Sequence, residues 1–102
     1  MITSPLPLLR HAQTHGYAVP AFNVNHLETI LAVMEAAQEE RSPVILQTSE
    51  GAVRYAGMGI LVAMAQAAAA GPLPAVLHLD HGKDLALVRQ ALQRGYTSVM
   101  ID

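Results

Sequence analysis

Several residue types that would mark a particular class of protein are scarce in this chain of 102 residues. Cysteine is absent, which excludes disulfide bonds and thiolate metal ligands, so a zinc ion would have to be held by histidine and carboxylate side chains. Six basic and eight acidic residues give a formal charge of −2 without any basic run. A nucleic-acid surface needs a basic footprint, so we expect no nucleic-acid partner.

The sequence predicts neither a secretory signal nor a membrane span. The N-terminus MITSPLPLLRHAQ lacks a basic region followed by an apolar core and a small-residue cleavage site. The longest apolar stretch, residues 58–70, is interrupted by Gln66 and is shorter than the roughly 20 residues of a membrane span. With 52% hydrophobic and 14% charged residues, the composition is that of a globular domain, and we expect a cytoplasmic protein.

Apolar spacing and turn residues predict helices that alternate with strands. The first helix covers residues 5–15 behind a Ser4 cap, and the second follows an Asn25 cap and ends at Ser42-Pro43. A loop is predicted over residues 51–57. The remaining predicted helices cover 58–70 and 84–94, and the predicted strands cover 18–24, 43–49, 74–80 and 96–102.

This alternation is typical of a parallel sheet with crossover helices. The first predicted strand is followed by NVNHLE, without the GxGxxG or GxxxxGK[ST] loop that a doubly wound nucleotide-binding sheet usually carries. The pattern therefore favours an α/β fold of the (β/α)₈ barrel type, of which this chain would supply about half the strands. No linker divides the chain, so residues 1–102 are expected to lie within one domain without an internal boundary.

Polar residues cluster where the predicted strands end. The positions are Asn23, Gln47 with Ser49, Asp80 with His81, and Asp102. Because parallel α/β enzymes build their sites at the carboxyl ends of the strands, these residues predict a site along one rim of the sheet.

The third strand ends in HLDHG at residues 78–82. Along an extended strand His78 and Asp80 face the same way, while His81 lies where the chain begins to turn. Imidazole beside carboxylate suits metal-assisted acid/base chemistry. Two histidines are not a complete catalytic zinc site, which needs about three protein ligands.

Four motifs together resemble the class II, zinc-dependent fructose-bisphosphate aldolases and their ketose-bisphosphate aldolase relatives. They are AFNVN at 21–25, SPVILQTSEGA at 42–52, HLDHG at 78–82 and GYTSVMID at 95–102. The resemblance implies a (β/α)₈ barrel and reversible aldol cleavage of a phosphorylated ketose to dihydroxyacetone phosphate and an aldehyde. It also implies Zn²⁺ as cofactor, with a monovalent cation as a further candidate, and a homo-oligomeric enzyme.

The resemblance further implies roles for individual residues. His81 would be a zinc ligand and Asp80 the acid/base that handles the substrate hydroxyl proton. Asn23, Gln47 and Ser49 would line the substrate pocket, and Asp102 would lie near the metal. His78 is expected to be a buried, hydrogen-bonded residue that supports the site from behind. Residues 1–102 would be the N-terminal portion of the barrel domain, with about its first four strands. In the family, two further zinc histidines, the phosphate loops and a second acidic residue lie downstream of the motif with which this sequence stops. We therefore expect the isolated chain to be inactive.

Other interpretations of the same residues stay open. A tagatose-bisphosphate-type aldolase would share these motifs. The chain could instead be a half-barrel that does no catalysis and only pairs with itself or a partner through exposed edges of its first and fourth strands. A third interpretation is a sugar-phosphate binder or another barrel enzyme in which HLDHG is coincidental. His11, His15 and His26 are interpreted as ordinary surface or helix-terminus residues.

Overall fold

A computed structural model describes all residues of the chain, 1–102, as nine alternating elements. The helices are α1 (Pro5–His15), α2 (Leu27–Glu39), α3 (Glu50–Ala56), α4 (Met58–Ala68) and α5 (Leu85–Arg94). The strands are β1 (Ala21–Asn23), β2 (Val44–Thr48), β3 (Ala75–Gly82) and β4 (Ser98–Ile101). No helix has both the length and the apolar composition for a membrane crossing.

The four strands form one parallel sheet in the order β1-β2-β3-β4. Strands that follow each other in sequence are therefore neighbours in space, joined by helical crossovers as the alternating pattern predicted. This is the arrangement of part of a (β/α)₈ barrel. The outer strands β1 and β4 each keep one edge without a strand partner.

The core lies between the sheet and its helices. In β2 the buried side chains alternate with partly exposed ones, so that Val44, Leu46 and Thr48 face the helices. Ile30 of α2 and Leu61 of α4 are fully buried against that face. In β2 the helices therefore cover one face, and the opposite face carries the partly exposed side chains, although Val76 of β3 is buried on that opposite face.

The predicted loop over 51–57 is wrong, because residues 50–56 form helix α3. The Ser49 hydroxyl accepts a hydrogen bond from the Ala52 N–H at 3.1 Å and so caps the helix. Gly51 and Gly57 were the residues that indicated a loop. Gly51 lies inside the first turn of α3, and Gly57, with φ of 91°, separates α3 from α4.

Two predicted helix caps are also corrected. The cap of α2 is His26 rather than Asn25: residue 26 is extended, and its Nδ1 accepts the Thr29 N–H at 3.3 Å. Ser4 precedes α1 in extended conformation, but its side chain makes no capping hydrogen bond. Pro5 and Pro7 supply part of the explanation, since a proline in the first turn has no N–H to be capped.

Candidate active site

Four polar side chains form a row across the sheet. The strand register pairs Asn23 with Gln47, Gln47 with His78, and His78 with Ser98. Residues in register project from the same face of a parallel sheet, here the face turned away from the helices. The Gln47 amide Nε2 donates to Asn23 Oδ1 at 2.8 Å, and His78 Nδ1 lies 2.6 Å from Ser98 Oγ. The row therefore consists of two hydrogen-bonded pairs that join β1 to β2 and β3 to β4.

Asp80 lies between two imidazoles at the carboxyl end of β3. Its Oδ1 is 3.8 Å from His78 Nε2, and its Oδ2 is 3.8 Å from His81 Nε2. Burial lowers the pKa of His78 below its usual range, and the Asp80 charge opposes that shift. His78 is therefore neutral near pH 7. The Asp80 side chain is 22% exposed, which leaves its carboxylate accessible from the rim.

His81 is held in a turn that also involves the end of β4. Its φ is 49°, in the left-handed region, where the register between β3 and β4 shifts. His81 Nδ1 lies 3.2 Å from Asp102 Oδ2, and the Asp102 N–H donates to the Gly82 carbonyl at 3.0 Å. The His81 side chain is 58% exposed. The turn thus directs an accessible imidazole to the rim with a carboxylate on one ring nitrogen.

A cleft of about 390 Å³ opens at the same rim, beside the ends of β1 and β2. Asn23 and Ser49 line it, together with Asn25 and Tyr55, whereas Gln47 reaches it only through its hydrogen bond to Asn23. The Ser49 hydroxyl serves both as cleft lining and as the cap of α3. Another cavity, of about 350 Å³, lies among apolar residues at the amino ends of these strands. It is remote from the polar rim.

Glu50 belongs to this rim, and the sequence interpretation missed it. Its Oε1 accepts the backbone N–H of Asp84 at 2.9 Å and also that of Lys83. These two amides, Asp84 first, lower the pKa of the Glu50 carboxyl below its usual range. The sequence does place an acidic residue directly after Ser49, but this indicates a helix N-terminus only if residues 50–56 are recognised as a helix.

The donor atoms at this rim fit zinc in type but not in number. Imidazole and carboxylate are normal zinc ligands. No three histidine, aspartate or glutamate side chains in the structure are placed to hold one metal ion, whereas catalytic zinc needs about three protein ligands. His81 can therefore supply one ligand of a site, and these residues do not complete it.

A four-stranded parallel β/α sheet with polar side chains along its carboxyl rim is the architecture of part of a (β/α)₈ barrel, and Asp80 lies at that rim between two imidazoles. The particular family follows from comparison with known proteins. Residues 4–102 match the family model of fructose-bisphosphate aldolase class-II, and the chain belongs to this family.

The curated relatives compared with this chain are fructose-bisphosphate or tagatose-bisphosphate aldolases. The chain is 55% identical over 97 residues to a plasmid-encoded fructose-bisphosphate aldolase of Cupriavidus necator, which covers 93% of this chain and 28% of the relative. It is 48% identical to a Thermus caldophilus fructose-bisphosphate aldolase, over 100% of this chain and 33% of the relative. A D-tagatose-1,6-bisphosphate aldolase subunit of Klebsiella oxytoca is 49% identical, over 99% and 36% respectively. The chain thus spans about a third of the length of these relatives.

Solved aldolase structures share the fold. The YdjI aldolase of Escherichia coli K12 superposes with a TM-score of 0.91 at 29% identity, covering 100% of this chain and 40% of that one. The fructose-bisphosphate aldolase of Campylobacter jejuni gives 0.80 at 26% identity, covering 99% and 38%. Both superpositions cover all four strands of this chain and the residues at their carboxyl ends.

Proposed function

We propose that this chain carries part of the active site of an aldolase that reversibly cleaves fructose 1,6-bisphosphate to dihydroxyacetone phosphate and glyceraldehyde 3-phosphate. The observation that carries the proposal is Asp80 at the tip of β3, 3.8 Å from an imidazole on each side, in a chain of the class II aldolase family. Residues 1–102 would be the N-terminal portion of one barrel domain, and this portion would be inactive without the rest of the domain.

Asp80 is proposed as the acid/base. In the cleavage direction its carboxylate accepts the proton of the substrate hydroxyl, whose oxygen becomes the carbonyl oxygen of the aldehyde product. The carbon–carbon bond breaks, and its electron pair stays with the ketone fragment, which would take up one proton from an acidic group outside residues 1–102 to become dihydroxyacetone phosphate. In the condensation direction the same carboxyl group returns the proton. Its partial exposure at the rim supports this role, since a substrate can reach it.

His81 is proposed as one zinc ligand, with the others coming from residues outside 1–102. A bound zinc ion supplies Lewis-acid polarisation of the substrate ketone. The Asp102 carboxylate, 3.2 Å from Nδ1, would accept a hydrogen bond from a proton on that nitrogen. This tautomer leaves a free lone pair on Nε2. Carboxylate partners of this kind orient metal-binding imidazoles in many sites, so Asp102 is proposed to orient His81.

Asn23 and Ser49 are proposed to contact the phosphorylated ketose directly, and Gln47 is proposed to contribute to the substrate site through Asn23. Asn23 and Ser49 line the rim cleft, and Gln47 fixes the Asn23 amide through a 2.8 Å hydrogen bond. With its oxygen engaged by Gln47, the Asn23 amide can present its NH₂ group to a substrate oxygen. His78, bonded to Ser98 and close to Asp80, is proposed to hold the Asp80 carboxylate in place.

A tagatose bisphosphate is the second candidate substrate. The chain is 49% identical to a D-tagatose-1,6-bisphosphate aldolase subunit, which lies between the 48% and 55% identities to two fructose-bisphosphate aldolases and supports this second candidate. The two sugars differ in the configuration of one hydroxyl group, so turnover of each by the same preparation separates the candidates.

The test is cleavage of fructose 1,6-bisphosphate, with and without a chelator, by two preparations. One is the 102-residue chain, and the other is a folded chimera in which this chain is followed by the part of the Cupriavidus necator relative beyond its matched region. We expect chelator-sensitive turnover by the chimera only. Asp80→Ala in the chimera should abolish cleavage with zinc still bound, while Glu39→Gln, on the exposed side of α2, should have no effect. An inactive wild-type chimera, or near-normal turnover by Asp80→Ala, would contradict the proposal.

A further inference from the structure

Glu50 joins two loops of the rim that are far apart in sequence. It is the first residue of α3, directly after the end of β2, yet its carboxylate reaches the turn between β3 and α5. There its Oε1 accepts hydrogen bonds from the backbone N–H groups of Lys83 and Asp84. The Glu50 side chain is only 11% exposed, so it is packed into this junction rather than extended into solvent.

We propose that Glu50 is a positioning residue, which clamps the β3–α5 turn and thereby holds Asp80 and His81 in place for the reaction. The hydrogen bonds from Lys83 and Asp84 to Glu50 are features of the structure itself, whereas their consequence for catalysis rests on the proposed function.

The end of β3 that leads into this turn has a strained conformation, which a clamp on the turn would stabilise. His81 has a positive φ of 49°, which a residue with a Cβ adopts only when its surroundings hold it there. On the far side of the turn, the Asp84 side chain is occupied as the cap of α5, where it accepts the N–H groups of Ala86 and Leu87. The Lys83 and Asp84 amides point away from that cap and are satisfied by Glu50.

The electrostatics of the junction favour an ionised carboxylate. Glu50 lies in the first turn of α3 and next to the N-terminus of α5, and a negative charge is stabilised at both helix ends. A carboxylate that accepts two backbone amides in this setting has no proton to donate. Because Oε1 is occupied by the two backbone amides and the side chain is only 11% exposed, Glu50 is placed to hold the turn.

Glu50 also forms an ion pair with Arg54, and this pair can be removed without removing the hydrogen bonds to the turn. The Arg54 guanidinium is 3.5 Å from Glu50 Oε2, the oxygen that does not bind the turn, and the Arg54 side chain is 71% exposed. An exposed i,i+4 pair contributes little. Arg54→Gln therefore removes the ion pair and leaves the clamp, which makes it a matched control.

The direct test is amide hydrogen exchange of the 102-residue chain, resolved by residue with NMR. In Glu50→Ala, exchange at Lys83 and Asp84 should accelerate by about tenfold or more, because a charge-assisted acceptor is lost. Glu50→Gln keeps an acceptor oxygen and should be intermediate. Arg54→Gln and Glu39→Gln should match the wild type. Unchanged exchange at both amides in Glu50→Ala would overturn the clamp, and if that variant does not fold, unchanged exchange in Glu50→Gln would do so.

The catalytic consequence is tested in the chimera described above. Glu50→Ala should lower kcat by about tenfold or more, since small displacements of catalytic groups have effects of this size. KM should stay within about twofold, because Ser49 keeps its own hydrogen bond to Ala52 and uniform substrate binding is then retained. Glu50→Gln should recover part of kcat. An unchanged kcat in Glu50→Ala, with accelerated exchange, would overturn positioning, whereas an inactive wild-type chimera would contradict only the proposed function.

Discussion

Gly82 is the most tightly enclosed glycine of the chain, and replacing it by alanine tests how the rim is built. A Cβ at this position would lie 2.5 Å from Val88 Cγ2 and 2.8 Å from the Met100 carbonyl oxygen. The Val88 side chain is buried, and the carbonyl belongs to the backbone of β4, so neither can move cheaply. Overpacking of this kind costs about 1–3 kcal/mol of unfolding free energy.

The assay is urea unfolding of the 102-residue chain, followed by circular dichroism at one protein concentration for all variants. With a slope of about 1–2 kcal/mol per molar urea, Gly82→Ala should lower the midpoint by about 1 M. The matched control is Gly71→Ala, where a Cβ would meet nothing within 4 Å. That change should be neutral or stabilise the chain by up to about 1 kcal/mol through the unfolded state.

A Gly82→Ala variant as stable as the wild type would refute this reasoning. It would mean that β3 and β4 separate at the rim at no cost, and that the hydrogen bond from the Asp102 N–H to the Gly82 carbonyl does not fix β4. The 3.2 Å approach of His81 to Asp102 would then not be a stable feature of the fold.

Four further outcomes are expected. Thr48→Val removes the buried 2.7 Å hydrogen bond to the Tyr96 hydroxyl and should cost about 1–3 kcal/mol in urea unfolding; a second change, Tyr96→Phe, should then cost less than it does alone, and full additivity would contradict the pairing. Burial lowers the His78 pKa and the Asp80 charge partly offsets that lowering. Asp80→Asn removes the charge, so the His78 pKa should fall further in an NMR titration, and a rise would contradict the assignment. Since that pKa is already lowered, the folded chain binds fewer protons than the unfolded one, and stability should decrease as the pH drops below about 6.5. Ile101→Lys, at a position 68% exposed on the free edge of β4, should reduce self-association in sedimentation velocity; an unchanged distribution would show that this edge is not the contact.

Much of the fold could be predicted from local patterns. The apolar runs ending in Gln47, in Asp80 and in Asp102 identified three strands and their polar ends, because short continuous apolar runs bounded by turn residues are typical of buried strands. The run at 43–49 resembles a strand buried on both faces, whereas β2 buries only every second side chain. Helix α3 could not be predicted this way, since its glycine-flanked segment has the composition of a loop and only the Ser49 cap distinguishes it.

The sequence by itself determined the alternating β/α order, the parallel sheet and the placement of Asp80 and His81 at a strand tip. These depend on periodicity and on neighbours along the chain, which short-range sterics and hydrophobic burial encode. Only the tertiary structure decided the contacts between strands and loops: the Asn23–Gln47 and His78–Ser98 pairs, the approach of Asp102 to His81, and the Glu50 carboxylate on the turn after β3. These contacts depend on strand register and on the crossover geometry of the helices, which bring together residues 20 or more positions apart, and no local pattern specifies which of the available polar groups will meet.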